Sequence, residues 1–159
     1  MLRAKFKWGR LFSVLALLSA GAGAAEAPIV PLSVCEVLHE LPAHEGKNVA
    51  VLGRYSFRTN GRWIGEQACT PAIDAPQLWL VENTSDAPKP PDNFEIDGLT
   101  LRRKFTELTK HTTLGKFRFG TPDYDRWAVI YGRVELRKGD KGASLVIRGN
   151  GVIVFVTPE

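Results

Sequence analysis

The sequence predicts one mainly β domain, and three observations indicate its architecture. The predicted elements run in the order short helix, three strands, one helix and two strands. The first and fourth strands carry central glycines, Gly53 and Gly132, as strongly bent barrel strands require. The Asn60-Gly61 pair indicates a tight hairpin between the first two strands. This arrangement is that of the OB-fold, a five-stranded Greek-key barrel with a helix between strands three and four.

A short helix is predicted at the start of the domain, over residues 34–41. The Ser33 hydroxyl and the Glu36 carboxylate form a capping box, in which each accepts a hydrogen bond from the other residue's backbone amide. Apolar residues recur at helical spacing behind this cap, and Pro42 ends the run. One face of this helix is therefore expected to be buried.

The hydrophobic period changes to two after Asn48, which predicts the first strand over 48–57. A type I′ turn at Asn60-Gly61 requires positive φ at both residues. Leu101, Phe105 and Leu108 lie on one side of an amphipathic helix over 98–110. Alternation predicts the remaining strands at residues 62–69, 77–81, 127–136 and 143–156, the last of which is interrupted at Gly149-Asn150-Gly151.

The first 24 residues have the layout of a secretory signal peptide. Four basic residues precede a short apolar run, and Ala22-Gly23-Ala24 supplies the small-residue cleavage site. The alternative is a retained anchor, but the apolar run is well short of the ~20 residues that span a bilayer. The sequence thus predicts an exported protein, periplasmic or secreted, without a membrane span after cleavage. Its parts are the signal peptide 1–24, a lead-in at 25–32 and a single domain at 33–159.

The charge balance changes once this leader is set aside. Four of the 21 basic residues lie within it and no acidic residue does, so 17 basic residues remain against 17 acidic ones. Nucleic-acid binders carry a surplus of Lys and Arg that displaces counterions. Strong nucleic-acid binding is therefore not expected, although a local basic stripe remains possible.

The stretch VCEVLHELPAHEGKNVAVLGRYSF, residues 34–57, carries a resemblance. It resembles the opening of small exported bacterial proteins of uncharacterised function, which share a V-C-x-(V/L)-L helix, a G-K-x-V-x-V-x-G strand and a second cysteine after strand two. More distantly, it is similar to periplasmic bacterial OB-fold stress proteins. The resemblance implies the fold, a disulfide and an exported location, and it brings no active-site residues.

Cys35 and Cys69 are the two cysteines of the chain. In an exported protein an even count favours a disulfide, and two cysteines pair in one way. Metal binding usually needs four ligands at tighter spacing, and a thioredoxin-like site needs C-x-x-C. We therefore expect one structural disulfide that joins the first helix to the end of the second strand.

Catalytic motifs are weak in this sequence. His39 and His44 are one residue too far apart for H-E-x-x-H, so they are interpreted as solvated histidines rather than metal ligands. No G-x-S-x-G is present. The acidic residues of loops and strand ends are interpreted as solvating side chains: Glu66, Asp74, Asp92, Glu95 and Asp97. The sequence predicts no enzyme, metal or cofactor, and an unrecognised hydrolase is the third hypothesis.

The strongest candidates for ligand binding are aromatic and basic residues on strands one and four. If even-numbered residues of the fourth strand fill the barrel, their neighbours point outwards, and OB-folds bind extended polymers through aromatic and cationic surfaces. The alternative is that a helix or loop covers the rings and that the arginines only aid solubility. The candidates are Trp127, Tyr131, Arg133, Arg54 and Arg58.

Two hypotheses from different classes follow for function. The leading one is a non-enzymatic, disulfide-stapled binding or envelope-associated module of unknown ligand, with an envelope protein or a glycan as a possible partner. The second is an OB domain that binds an oligonucleotide or an anionic glycan through the barrel face.

Overall fold

A computed structural model describes residues 27–83, 85–115, 124–137, 142–148 and 152–157 of the chain. The expected leader at 1–24 lies outside these residues. Among the described helices none is long and apolar enough to cross a membrane. The elements in chain order are β1 (Leu32–Ser33), α1 (Val34–His39), α2 (Leu41–His44), β2 (Asn48–Arg58), β3 (Gly61–Gly65), β4 (Gln77–Glu82), α3 (Gly98–His111), β5 (Tyr124–Leu136), β6 (Ala143–Ile147) and β7 (Val152–Phe155).

Five of the strands close into a mixed barrel in the order β2-β3-β4-β6-β5, and β5 returns to pair with β2. β4 and β6 are parallel, and the other pairs around the barrel are antiparallel. β1 adds to β2 and β7 adds to β5. With α1 before the barrel and α3 between its third and fourth strands, this is the OB-like arrangement that the sequence predicts.

The barrel interior is filled by residues of one parity from each strand. Val51, Ile64, Leu78, Ile130 and Leu145 are fully buried there. Val34 and Val37 of α1 belong to the same cluster, so the short capped helix buries its apolar face against the barrel core. The predicted capping box is present, with Ser33 and Glu36 bonded reciprocally.

A second apolar core lies outside the barrel, beneath α3. Phe105 and Leu108 of the helix pack with Leu52 of β2 and with Trp127 and Val129 of β5. The Phe105 and Trp127 rings meet edge to face, with centroids 5.5 Å apart. Strands β2 and β5 are therefore apolar on both faces because each face has a partner layer.

Several element boundaries differ from the predicted ones. β3 stops at Gly65, because Glu66 leaves the ladder and donates its amide to the Pro76 carbonyl. Pro42 does not only end the first helix: it lies in the first turn of α2, where a missing amide costs nothing. β5 begins at Tyr124, whose ring stacks on Phe57 across the ladder. Ile29 of the lead-in pairs with Ile96 and so is attached to the domain.

The β2–β3 hairpin forms, but its turn differs from the predicted type. Arg58 pairs with Gly61, so Thr59 and Asn60 form the turn. Gly61 has φ +137°, whereas Asn60 has no positive φ. The predicted type I′ geometry at Asn60-Gly61 is therefore wrong.

Gly132 lies where β5 passes closest to β6. A Cβ at this position would stand 2.7 Å from the Val146 carbonyl oxygen and 2.8 Å from a Leu145 side-chain carbon. Real Cβ atoms do not approach backbone oxygens so closely. The glycine that the sequence singles out in the fourth barrel strand is thus required by the crossing of two strands.

The predicted disulfide between Cys35 and Cys69 is confirmed, with their Cα atoms 5.5 Å apart. Cys35 lies in the first turn of α1, as expected. Cys69 lies in the loop after β3 rather than at the end of that strand. The bond therefore fastens α1 to the loop between β3 and β4.

Candidate functional site

The two aromatic rings predicted to offer a stacking surface are not available for it. Trp127 and Tyr131 do point away from the barrel interior, but they are only 4% and 9% exposed. Phe105 of α3 packs on Trp127, and Phe94 packs edge to face on Tyr131. The alternative that the sequence left open therefore holds: α3 covers Trp127 and the loop before it covers Tyr131, so no exposed platform forms here.

The three candidate arginines are held by partners within the chain. Arg58 pairs with Asp125 at 2.6 Å and donates to the carbonyls of Phe57 and Tyr124. Arg133 forms ion pairs with Asp86 and Glu135, both at 2.8 Å. Arg54 donates from Nη1 to the Thr113 carbonyl. The predicted residues thus form no common exposed patch.

Asp125 explains why Arg58 is so firmly placed. The carboxylate is only 1% exposed, and burial acts to raise its pKa. Hydrogen bonds from Ser56, from the Gly115 amide and from Arg58 outweigh that burial and hold the pKa of Asp125 below its usual value. The ion pair therefore fixes the edge of β2 near the hairpin.

A different pair of aromatic residues is half-exposed on the outer face of β3 and β4. Trp63 and Trp79 are direct cross-strand partners, with ring centroids 5.1 Å apart and planes inclined by 55°. The guanidinium of Arg58 lies 5.9 Å from the Trp63 ring, and that of Arg137 lies 5.3 Å from the Trp79 ring. We call this surface, with Arg54 and Gln77 beside it, the tryptophan face.

Gly61 is part of the reason why this pair can form. Its φ of +137° favours glycine, and a Cβ there would stand 2.9 Å from Cζ3 of Trp79. The Trp79 indole therefore lies directly over the backbone at the start of β3. The hairpin glycine both turns the chain and makes room for the ring.

A hollow of about 310 Å³ continues the tryptophan face towards the loop 66–76. Arg54 and Trp63 line it on the strand side, and Asp74 and Ala75 line it on the loop side. Nε of Arg54 is buried without a hydrogen-bond partner in the described part of the chain. Ala75 has φ +48°, an uncommon backbone conformation for a residue with a Cβ. An unpaired buried donor beside a hollow is a feature that a ligand acceptor satisfies.

A second concave feature lies at the disulfide. This disulfide cleft has a volume of about 440 Å³ and runs between α1, the loop after β3 and one side of α3. Its lining includes Cys35, Glu66, Cys69, Lys104, Glu107 and His111.

Glu66 is buried in this cleft, contrary to its interpretation as a solvating residue. It is 8% exposed, and Oε1 accepts a hydrogen bond from the Cys35 amide at 2.9 Å. Burial raises the pKa of Glu66, and that amide bond offsets the effect only in part. A buried carboxyl group with a raised pKa in a cleft is typical of functional positions, although structural networks also produce it.

The other polar residues that the sequence singled out make hydrogen bonds or ion pairs within the fold. His39 Nε2 lies 2.9 Å from the Pro71 carbonyl oxygen, and His44 lies 3.8 Å from Glu40. Asp97 caps α3 by accepting the Thr100 amide, which lowers its pKa. Asp92 pairs with Lys89 at the surface. In the described residues, no three His, Cys, Asp or Glu side chains are grouped to hold a metal ion.

The sequence analysis missed Trp63 and Trp79, which carried a signal, and misinterpreted Glu66. Trp63 and Trp79 have the outward parity of their strands, next to Gly65 and Gln77, so no apolar neighbours indicate a covering layer. Glu66 carried none, because its burial depends on α1 and α3 packing around a loop.

Comparisons of the chain with protein-family models, with curated proteins and with solved structures found no match. The function is therefore inferred from the geometry of the tryptophan face and the disulfide cleft.

Proposed function

We propose that this protein is an exported, non-enzymatic binding module whose ligand is a glycan of the cell envelope, held on the tryptophan face. The observation that carries the proposal is the half-exposed Trp63–Trp79 pair on the β3–β4 surface. In OB-folds, the surface of the second and third barrel strands and its adjoining loops commonly binds oligonucleotides and oligosaccharides. Here those strands are β3 and β4.

The tilt between the two indole rings favours a ligand built from puckered sugar rings. Two indole planes inclined by 55° form an open corner rather than one flat platform. Sugar rings present an apolar face to an aromatic ring and hydroxyl groups around their edges. Nε of Arg54, buried beside the hollow without a partner in the described residues, supplies a donor for one of those hydroxyls.

The charge pattern supports a glycan over an oligonucleotide. Arg58, Arg62 and Arg133 are each paired with a carboxylate of the same chain. Paired arginines release few counterions from a phosphate backbone, so they add little nucleic-acid affinity. The equal number of basic and acidic residues after position 24 agrees with this.

Export is the part of the proposal that the leader supports. The basic start, the short apolar run and Ala22-Gly23-Ala24 predict cleavage that leaves Ala25, or a residue within two of it, as the first residue. The intact mass of protein recovered from the periplasm or medium tests this. A mass that still includes Met1 would contradict it.

Binding is tested by calorimetric titration of the processed protein with chitotetraose and with soluble peptidoglycan glycan strands. We expect one of these probes to bind, and we expect Trp63→Ala and Trp79→Ala to weaken binding by roughly tenfold or more. Phe155→Ala is the matched control, since Phe155 is 48% exposed and also lies beneath a guanidinium, that of Arg126 at 5.2 Å. It should bind like the wild type.

Two outcomes would overturn the glycan proposal. One is that neither glycan binds, or that binding is unchanged in both tryptophan variants. The other is that a 20-mer of deoxythymidine binds in its place with a steep salt dependence, which would establish the oligonucleotide hypothesis.

A further inference from the structure

Glu66 and the disulfide are in direct contact. Oε2 of Glu66 lies 3.1 Å from Sγ of Cys35, and Oε1 accepts the amide hydrogen of the same residue. A disulfide sulfur carries no hydrogen, so it cannot donate to the carboxylate. An ionised Glu66 therefore places a negative oxygen against sulfur lone pairs, whereas a protonated Glu66 can direct its O–H at the sulfur.

The charged groups around Glu66 favour its protonated form. Glu36 of α1 repels the ionised carboxylate. Lys104 of α3 is bonded to Glu36 at 2.5 Å, and Glu107 is bonded to Lys110 and lies 3.7 Å from His111. In the described residues Glu66 has no ion-pair partner, and its hydrogen bonds with Cys35, Ser33 and Val34 offset its burial only in part.

The disulfide is accessible from the cleft. Cys35 is half-buried and Cys69 is 8% exposed, and both line the volume of about 440 Å³. A structural disulfide sealed in an apolar core would offer an attacking thiol no approach. Here an open-sided cleft, whose lining includes Lys104, Glu107 and His111, leads to the bond.

We propose that Cys35–Cys69 is an exchangeable disulfide and that Glu66 is the proton donor for Cys35 when the bond opens. The co-reactant is a dithiol, either of a partner protein or of a small molecule. Its first thiolate attacks Sγ of Cys69, the S–S bond breaks, and the electron pair of that bond goes to Sγ of Cys35. The proton of Glu66 moves from Oε2 to this sulfur.

The products of this step are a mixed disulfide at Cys69, a Cys35 thiol and a Glu66 carboxylate, so charge and atoms balance. The second thiol of the dithiol then attacks the first sulfur of the same dithiol, which is bonded to Cys69 in the mixed disulfide. Cys69 leaves as a thiolate and takes the proton of that thiol, and the co-reactant is released as a disulfide. In the reduced protein, the contact of 3.1 Å becomes a hydrogen bond from the Cys35 thiol to Glu66.

Two oxygen atoms direct the attack to Cys69 rather than to Cys35. Sγ of Cys35 has Glu66 Oε2 at 3.1 Å and the Ala68 carbonyl oxygen at 3.6 Å. The O–H at Oε2 stabilises the electron pair that Sγ of Cys35 takes up, and the Ala68 carbonyl oxygen repels a thiolate that approaches this sulfur, so Cys35 is the sulfur that departs. This regiochemistry is a consequence that a purely structural disulfide does not have.

The first experiment maps the attacked sulfur. Folded, oxidised protein is treated briefly with reduced glutathione, free thiols are alkylated at acid pH, and peptides are identified by mass. We expect glutathione on Cys69 and the alkyl group on Cys35. Glutathione predominantly on Cys35, or no mixed disulfide until the protein is unfolded, would overturn the proposal.

The second experiment measures the rate of reduction by dithiothreitol from pH 5 to pH 8, divided by the thiolate concentration at each pH. In the wild type this normalised rate should rise as the pH falls and Glu66 becomes protonated. Glu66→Gln keeps an acceptor for the Cys35 amide but has no proton to give, so its profile should be flat. At the acid end its rate should be roughly tenfold lower, a modest general-acid effect because a thiolate is already a good leaving group.

Glu107→Gln is the matched control, since Glu107 lines the same cleft but is exposed and bonded to Lys110. Its normalised profile should follow the wild type. Rates must rise linearly with dithiothreitol, which separates attack on the folded protein from attack after unfolding. A Glu66→Gln profile that matches the wild type, or rates that do not depend on dithiothreitol, would overturn the proposal.

Discussion

The barrel has two outer surfaces that carry tryptophan, and the chain treats them differently. On the β2–β5 surface, Trp127 is 4% exposed because α3 packs over it. On the β3–β4 surface, Trp63 and Trp79 are half-exposed, and arginine side chains rather than an element of structure lie against them. Within one small domain, an outward tryptophan on a strand is therefore either packed beneath a helix or left accessible to a ligand.

The neighbours of each ring decide between these uses. Arg54 is the cross-strand partner of Trp127. Further along the two strands the outward positions are Leu52, Val129 and Tyr131, so that part of the surface is apolar and packs against the apolar side of α3. Next to Trp63 and Trp79, the outward positions are Ser56, Gly65, Gln77 and Ser144. A surface of small and polar residues gives a helix little to bury, so the indoles remain accessible.

Truncating one ring on each surface is the sharpest way to test this contrast. Trp127→Ala should lower the free energy of unfolding by about 3–5 kcal/mol, the range for a large side chain lost from a packed core. Trp79→Ala should cost roughly 1–2 kcal/mol, because a half-exposed ring buries less apolar area. Urea denaturation followed by circular dichroism measures both, and equal losses would remove the distinction between the surfaces.

Removing the disulfide frees the loop beside the tryptophan face from α1. The joint change of Cys35 and Cys69 to serine frees a loop of 34 residues and should cost about 3–4 kcal/mol. Hydrogen exchange should accelerate at residues 66–76 more than in α3. Equal acceleration in both segments would mean that the bond stabilises the whole domain and not chiefly this loop.

Asp125 anchors the arginine beside Trp63, so Asp125→Asn tests whether that arginine shapes the open surface. Loss of the charged partner of Arg58 should cost about 1–3 kcal/mol at neutral pH. Because the pKa of Asp125 is lowered in the folded protein, this difference should shrink as the pH falls below the ordinary value near 3.8. Unfolding curves at several pH values check this, and a difference that does not change with pH would contradict it.

The smallest expected effect concerns Glu66, between the two surfaces. Its raised pKa means that the folded protein keeps a proton that the unfolded chain loses above about 4.5, so ionisation costs stability as the pH rises. Glu66→Gln removes that cost and should gain stability relative to the wild type between pH 4 and pH 7. Glu107→Gln should not gain, because bonding to Lys110 lowers the pKa of Glu107.

Much of the fold was predictable because its signals are local. The capping box, the alternation after Asn48 and the spacing of Leu101, Phe105 and Leu108 each act within a few residues, and each predicted element is present. The boundaries failed where a distant partner decides them. β5 gains its first residues from the stacking of Tyr124 on Phe57, and β3 ends where the loop 66–76 pulls Glu66 from the ladder.

The candidate site was harder to predict because the exposure of an outward side chain depends on which element packs over its strand. The parity of Trp127 and Tyr131 was predicted correctly, but parity does not reveal which outer surface α3 covers. Treating Ala50, Leu52 and Val129 as a second apolar surface would have indicated a covering helix there and left Trp63 and Trp79 as the open pair. The burial of Glu66 arises from three segments distant in sequence, and no short pattern encodes it.

The closure of the barrel has a consequence for the order in which the chain folds. β2 pairs with β5 across residues 48–57 and 124–133, and β4 pairs in parallel with β6 across 78–82 and 143–147. Such non-local pairings require long loops to close, at a cost in entropy, before the favourable contacts between the strands can form. High contact order therefore makes folding slow. The hairpin of β2 and β3 can form early, but the free edges of β2 and β4 stay unpaired until β5 and β6, in the last third of the chain, are in place. In that interval these strands are open to pairing with other chains, so a nascent or refolding molecule depends on remaining apart from its neighbours.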